Sequence, residues 1–183
     1  VLTLYFSWPG FIERSQLPPL WKFLTFTQNF GLDYMSFGAF SHAWSLCVEE
    51  QFYLFLPFFV VFTMKRLSAM GSFLILGAGL LAGVLLRSVL WAQYLKPHYL
   101  EASTGKLAAA FYQQIYYPTY CRIDGLLIGI GIAYLSNLRP DLWLKVGRFS
   151  NLLFLVGISA LILAWRMFLD PYSLEFSAIG FLI

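Results

Sequence analysis

Glu49 and Glu50 stand side by side at the mouth of a run that is otherwise too apolar for water. They lie in the stretch Ser41-His42-Ala43-Trp44-Ser45-Leu46-Cys47-Val48-Glu49-Glu50-Gln51-Phe52-Tyr53, which also supplies an imidazole, an amide and a phenol. Such groups move protons and steady developing charge. The next residues, Leu54-Phe55-Leu56-Pro57-Phe58-Phe59-Val60-Val61-Phe62, read as membrane-buried. Ionisable side chains are costly to keep in such a place and mark function by default. On a helix, Ser45, Glu49, Tyr53 and Glu50 cover an arc of roughly 140°, with Trp44, Val48, Gln51 and Phe55 on the other side. The polar face is expected to point into a protein interior or a wet cavity, not at lipid.

A second charged cluster is Tyr117-Pro118-Thr119-Tyr120-Cys121-Arg122-Ile123-Asp124-Gly125. Residues two apart on one helix do not face each other. Arg122 and Asp124 are therefore expected to find partners on neighbouring helices, with Arg122 against Glu49 or Glu50 across the bundle as one candidate ion pair. The bland alternative is a buried pair that only locks helix packing.

The elements that must position these groups follow from composition. The chain is 60% hydrophobic and only 11% charged, with a mean hydropathy of +0.71. Soluble domains hold about 25% charged residues, so the expected class is all-α, a polytopic transmembrane helix bundle. The net charge of +3 is scattered between apolar runs, which gives no patch for nucleic acid. Spans are expected over about 44–63, closed by Met64-Lys65-Arg66, then 71–91, 121–135 and 151–169, with another beginning near Glu175. Residues 1–8 read as the tail of an earlier helix and 13–33 as a loop or interfacial stretch. Residues 92–120, with Lys96, His98, Glu101 and Lys106, read as a polar-aromatic loop. Both chain ends fall inside apolar runs, so the chain reads as the central part of a single, longer transmembrane domain.

Loop charges orient the spans. Lys65 and Arg66 mark one connection, and Arg139, Lys145 and Arg148 another. The positive-inside rule puts both on the cytoplasmic side, with residues 41–53, 92–120 and the start of the third span opposite. These cations could meet a phosphate-bearing ligand or serve topology alone. Arg87 and Arg166 are expected to snorkel from span ends. Gly79 with Gly83, and Gly125 with Gly129 and Ala133, form small-residue ridges suited to close helix approach. Cys47 and Cys121 are too few for a disulfide framework or a zinc site. No metal and no glycine-rich phosphate loop is expected.

Together the two stretches resemble the signatures of the acyltransferase-3 family. His42-Ala43-Trp44-Ser45-Leu46-Cys47-Val48-Glu49-Glu50-Gln51-Phe52-Tyr53-Leu54, followed by a Pro, looks like its H-x-W-S-L-x-V-E-E-Q-F-Y-L pattern. Residues 117–133 resemble a second pattern, roughly Y-x-T-x-x-R-x-D-G-L-x-x-G with a later Ala, and Gln28-Asn29-Phe30 resembles an upstream Q-N-F. The resemblance implies a bundle of about ten transmembrane helices in a multi-pass plasma-membrane protein, the bacterial inner membrane being its usual place. It also implies an acyl-CoA donor, acetyl-CoA above all, and a carbohydrate or lipid-linked glycan acceptor at the exoplasmic face. The family's principal base is a His on a first helix, expected upstream of Val1.

Acyl transfer to an alcohol needs a base for the hydroxyl proton and donors for the oxyanion. On this reading Glu49, with Glu50 second to it, orients or charge-stabilises an imidazole. Arg122, paired with Asp124 or Glu50, steadies the thioester carbonyl, and Tyr53 donates to the same site. His42, Trp44, Ser45 and Gln51 are the candidate substrate-binding residues. A transporter or flippase of a lipid-linked glycan, with the same residues lining a path, is the alternative. A membrane subunit whose charged pairs only specify packing is a third.

Overall fold

The computed structural model of the chain describes residues 19–32, 43–101, 103–167 and 170–182, without the side chains of Met64 and Met167. His42 and the stretch 1–18 lie outside these residues. Among the described residues every regular element is helical: α1 (Leu20–Leu24), α2 (Trp44–Arg66), α3 (Ala69–Leu90), α4 (Lys96–Leu100), α5 (Thr104–Phe111), α6 (Asp124–Leu138), α7 (Pro140–Gly147), α8 (Ser150–Met167) and α9 (Leu174–Ile179). Two helices are long and apolar enough to cross a membrane, over Trp44–Thr63 and Ala69–Leu100, or three if the bent pair of α7 and α8 forms one span.

Helix α2 carries Pro57 in its interior and ends where Leu67 turns extended and its N–H reaches the Thr63 carbonyl. Ser68 then caps α3 by accepting from the Gly71 N–H at 3.2 Å. The α3 helix does not stop near residue 91 as the sequence suggests. It runs through a π-helical turn, Trp91–Leu95, into α4. The resulting 32-residue rod is about 48 Å long at 1.5 Å per residue, more than a hydrocarbon core of ~30 Å accommodates upright.

The expected loop over 92–120 is thus mostly helical, which corrects the sequence reading. The reason is apolar spacing hidden among polar residues. Leu107, Phe111 and Ile115 recur every fourth position and bury together with Leu95. Leu90, Trp91, Tyr112, Tyr116, Tyr172, Phe176 and Phe181 pack around them, so this end of the bundle is closed by a largely aromatic cluster. A second cluster of Leu76, Ile130 and Tyr134 joins α3 to α6, with Phe52, Leu56, Phe59 and Val60 of α2 against it. The Thr63 and Tyr134 hydroxyls are hydrogen-bonded, tying the far ends of α2 and α6. The ends of these helices therefore meet in the order that alternating spans require.

The small-residue ridges divide. A Cβ on Gly83 would stand 2.7 Å from the Asp124 carboxylate, and one on Gly79 would stand 3.1 Å from Leu127, so both glycines admit α6 against α3. Gly125 and Gly129 have nothing within 4 Å of such a Cβ. Their ridge lines an open cleft across from Phe52, Tyr53 and Leu56 of α2 instead of packing against a helix.

Candidate functional site

Three sequence-distant segments are knotted together at the start of α2. The buried Asn29 side-chain amide donates to the Tyr117 carbonyl at 3.1 Å and to Thr119 Oγ1 at 2.7 Å. Thr119 Oγ1 donates to Gln51 Oε1 at 2.7 Å, and Gln51 Nε2 reaches Asn29 Oδ1 at 3.2 Å. Gln51 also donates to the carbonyl of Phe26, whose φ of 53° is a left-handed conformation rare outside glycine. Each amide oxygen and nitrogen in the ring has a partner, so the cluster can be buried without leaving polar groups unpaired. Gln51 therefore holds backbone segments in place.

Beside this knot, α2 and the turn before α6 border an open cleft of about 300 Å³ lined by Trp44, Ser45, Val48, Glu49, Tyr116, Arg122 and Leu126. Arg122 is held here by rings. Its guanidinium carbon lies 4.1 Å from the centroids of Tyr116 and Phe181 and 5.0 Å from that of Trp44. Its Nε donates to the Tyr116 carbonyl at 2.9 Å. Cation–π attraction on aromatic faces favours the guanidinium, worth about 0.5–2 kcal/mol per contact. A guanidinium has five N–H donors, more than this backbone contact engages. Trp44 packs on Tyr116 and Tyr117 as well, so it forms the wall that orients Arg122.

Glu49 lines that cleft with Ser45, and Glu50 does not. Both acids are exposed, so the polar face of α2 is not turned into the described helices, contrary to what the sequence suggests; Cys47 and Val48 are the buried residues there. Tyr53 is 54% exposed and lines a neighbouring apolar cleft with Gly125, Leu126 and Gly129, so Leu126 is common to both walls. Among the described residues Arg122 makes no ion pair with Glu49, Glu50 or Asp124, contrary to the expected pairings. Aromatic faces take the place of the counter-ion.

Asp124 belongs to a different centre. It pairs with Arg87 of α3 at 2.6 Å, and both side chains are sealed from solvent, at 1% and 0% exposure. Arg87 also donates from Nε and Nη2 to the Ala178 carbonyl at 3.0 and 2.8 Å, and from Nη1 to the Cys121 carbonyl at 3.1 Å. It does not snorkel; it joins α3, the start of α6 and α9. The absence of a side chain at Gly83 makes room for this pair. The sequence singled out Arg87 as the lone charge in an apolar span but suggested that it snorkels; its partner lies on another helix, which spacing along one chain does not show.

Cys47 and Cys121 are both buried free thiols. The chain matches no family model, no curated protein and no solved structure.

Proposed function

We propose that the chain is part of an integral-membrane acyltransferase that moves an acyl group, acetyl above all, from acyl-CoA to a hydroxyl of a cell-envelope carbohydrate. One observation supports the reading above the others. The three stretches that resemble the acyltransferase-3 signatures meet through Asn29, Gln51 and Thr119, beside a cleft that holds Glu49 and Arg122 together. A chance likeness of separate apolar segments would not require them to touch.

In this reading the pantetheine arm of a cytoplasmic acyl-CoA carries the thioester through the bundle to the cleft. There the acceptor hydroxyl loses its proton to a base and its oxygen attacks the thioester carbonyl. The carbon–sulfur bond then breaks, and the CoA thiol leaves with a proton. Arg122, fixed by its ring wall, steadies the carbonyl oxygen as negative charge grows, a role preorganised donors perform best. Glu49 orients and charge-stabilises the imidazole base that the family resemblance implies, as a carboxylate does in a triad. Tyr53 offers a phenolic donor one turn below. Asp124 acts through structure, holding Arg87 and the backbone just before Arg122.

The test is transfer of label from acetyl-CoA to envelope glycan in membranes carrying the full-length protein. Arg122→Ala should lower transfer about 10²-fold, the usual cost of one oxyanion donor, with insertion unchanged. Wild-type protein that translocates glycan but never transfers label would replace this reading with a transporter.

A further inference from the structure

Helix α7 and its flanks carry a surface that the acyl-transfer reading does not use. The helix follows the apolar α6 and is bent by 72° from α8. At 1.5 Å per residue α8 alone is about 27 Å long, close to a hydrocarbon core of ~30 Å, so α7 is not needed to complete that span. Every residue of α7 except Leu142 is exposed.

The exposed surface is two-sided. At 100° per residue, Asp141, Lys145 and Arg148 fall within an arc of about 60°. Leu142, Trp143 and Val146 lie on the far side, and Leu144 and Phe149 border the cationic arc on its two edges; Trp143 is 41%, Leu144 70% and Phe149 60% exposed. Asp141 lies 3.6 Å from Arg139, and among the described residues Lys145 and Arg148 have no counter-ion. A short helix with an apolar flank, an aromatic side chain and an unneutralised cationic face suits the boundary between acyl chains and headgroups. The bend turns its axis toward the membrane plane. Both flanking helices are apolar, which places α7 at a bilayer surface whichever leaflet that is.

We infer that α7 lies in the plane of the membrane as an anchor that binds anionic phospholipid, with Trp143 and Val146 among the acyl chains and Lys145 and Arg148 on lipid phosphates. The inference does not depend on the acyl-transfer reading. The cationic pair attracts an anionic leaflet over a zwitterionic one, and the 72° bend lets both faces act at once.

Full-length protein with Val146→Cys, labelled there with bimane while the buried Cys47 and Cys121 stay unlabelled, is reconstituted in phosphatidylcholine vesicles. Doxyl-labelled phosphatidylglycerol or doxyl-labelled phosphatidylcholine is added at equal mole fraction. Both should quench, and the anionic lipid should quench at least about twofold more strongly. Lys145→Gln with Arg148→Gln should bring the two lipids to parity while quenching by doxyl-phosphatidylcholine persists. Equal quenching by both lipids in the wild type overturns the anionic preference. No quenching by either overturns the anchor itself: a bimane also shielded from aqueous iodide would mean that other protein covers this face, and one open to iodide would mean that α7 stands off the bilayer.

Discussion

Arg122 and Arg87 carry the same charge into the same apolar surroundings, and their neighbours assign them different tasks. Arg122 rests on Trp44, Tyr116 and Phe181 and presents itself to a cleft shared with Glu49. A planar guanidinium stacks on rings and forks toward oxygen atoms, which a lysine ammonium cannot reproduce. Arg122→Lys should therefore keep folding and cost at least about tenfold in acyl transfer, against the ~10²-fold of an absent donor, measured by label incorporation at matched protein levels. Arg87 instead neutralises Asp124 where neither touches solvent. Arg87→Met leaves that carboxylate uncompensated and should destabilise by about 3–5 kcal/mol, seen as a lower unfolding temperature in detergent. The double variant Arg87→Met with Asp124→Leu should recover most of the loss. A double variant as unstable as the single one would mean that the carbonyl contacts to Ala178 and Cys121, not the ion pair, hold the joint.

At the scale of elements, the glycines of α3 separate two uses of the same residue. Gly83 sits against Asp124, and an added methyl would stand 2.7 Å from the carboxylate. Gly83→Ala should cost about 1–3 kcal/mol through this overpacking. Gly77 has open space around the same position, so Gly77→Ala should be neutral or slightly stabilising because helix propensity favours alanine. Thermal unfolding of the two variants in parallel reads the contrast. The sequence made the apolar helices legible because long apolar runs with charged ends permit few readings: the expected 44–63, 121–135 and 151–169 lie close to α2, α6 and α8, of which α2 alone is long and apolar enough by itself to cross a membrane. Residues 92–120 misled because Lys96, His98, Glu101 and Lys106 interrupt a pattern whose buried members, Leu107, Phe111 and Ile115, keep helical spacing. The Glu49 and Arg122 neighbourhood was legible from motif order. The Arg87–Asp124 pair was not, because charge pairing across helices depends on which faces meet, and single-chain spacing does not encode that.

For the molecule as a whole, the described contacts place the starts of α2 and α6 with the end of α3 at one end of the bundle, and Thr63 with Tyr134 at the other. The basic connections, Lys65 with Arg66 and Arg139 with Lys145, belong to the Thr63 end. Cysteine labelling from outside intact cells should find residues 65–68 and 139–145 protected and residues 96–106 reactive, as the positive-inside rule requires. The reverse pattern would put the Glu49 cleft on the side of the soluble donor.

The two adjacent acids offer the sharpest test of the central claim, since one lines the Arg122 cleft and the other does not. Transfer of labelled acetyl from acetyl-CoA to envelope carbohydrate is measured for Glu49→Gln and Glu50→Gln in full-length protein of equal abundance. The cleft account predicts that Glu49→Gln loses transfer by at least about tenfold and that Glu50→Gln stays within about twofold of wild type. Full transfer by Glu49→Gln would contradict it.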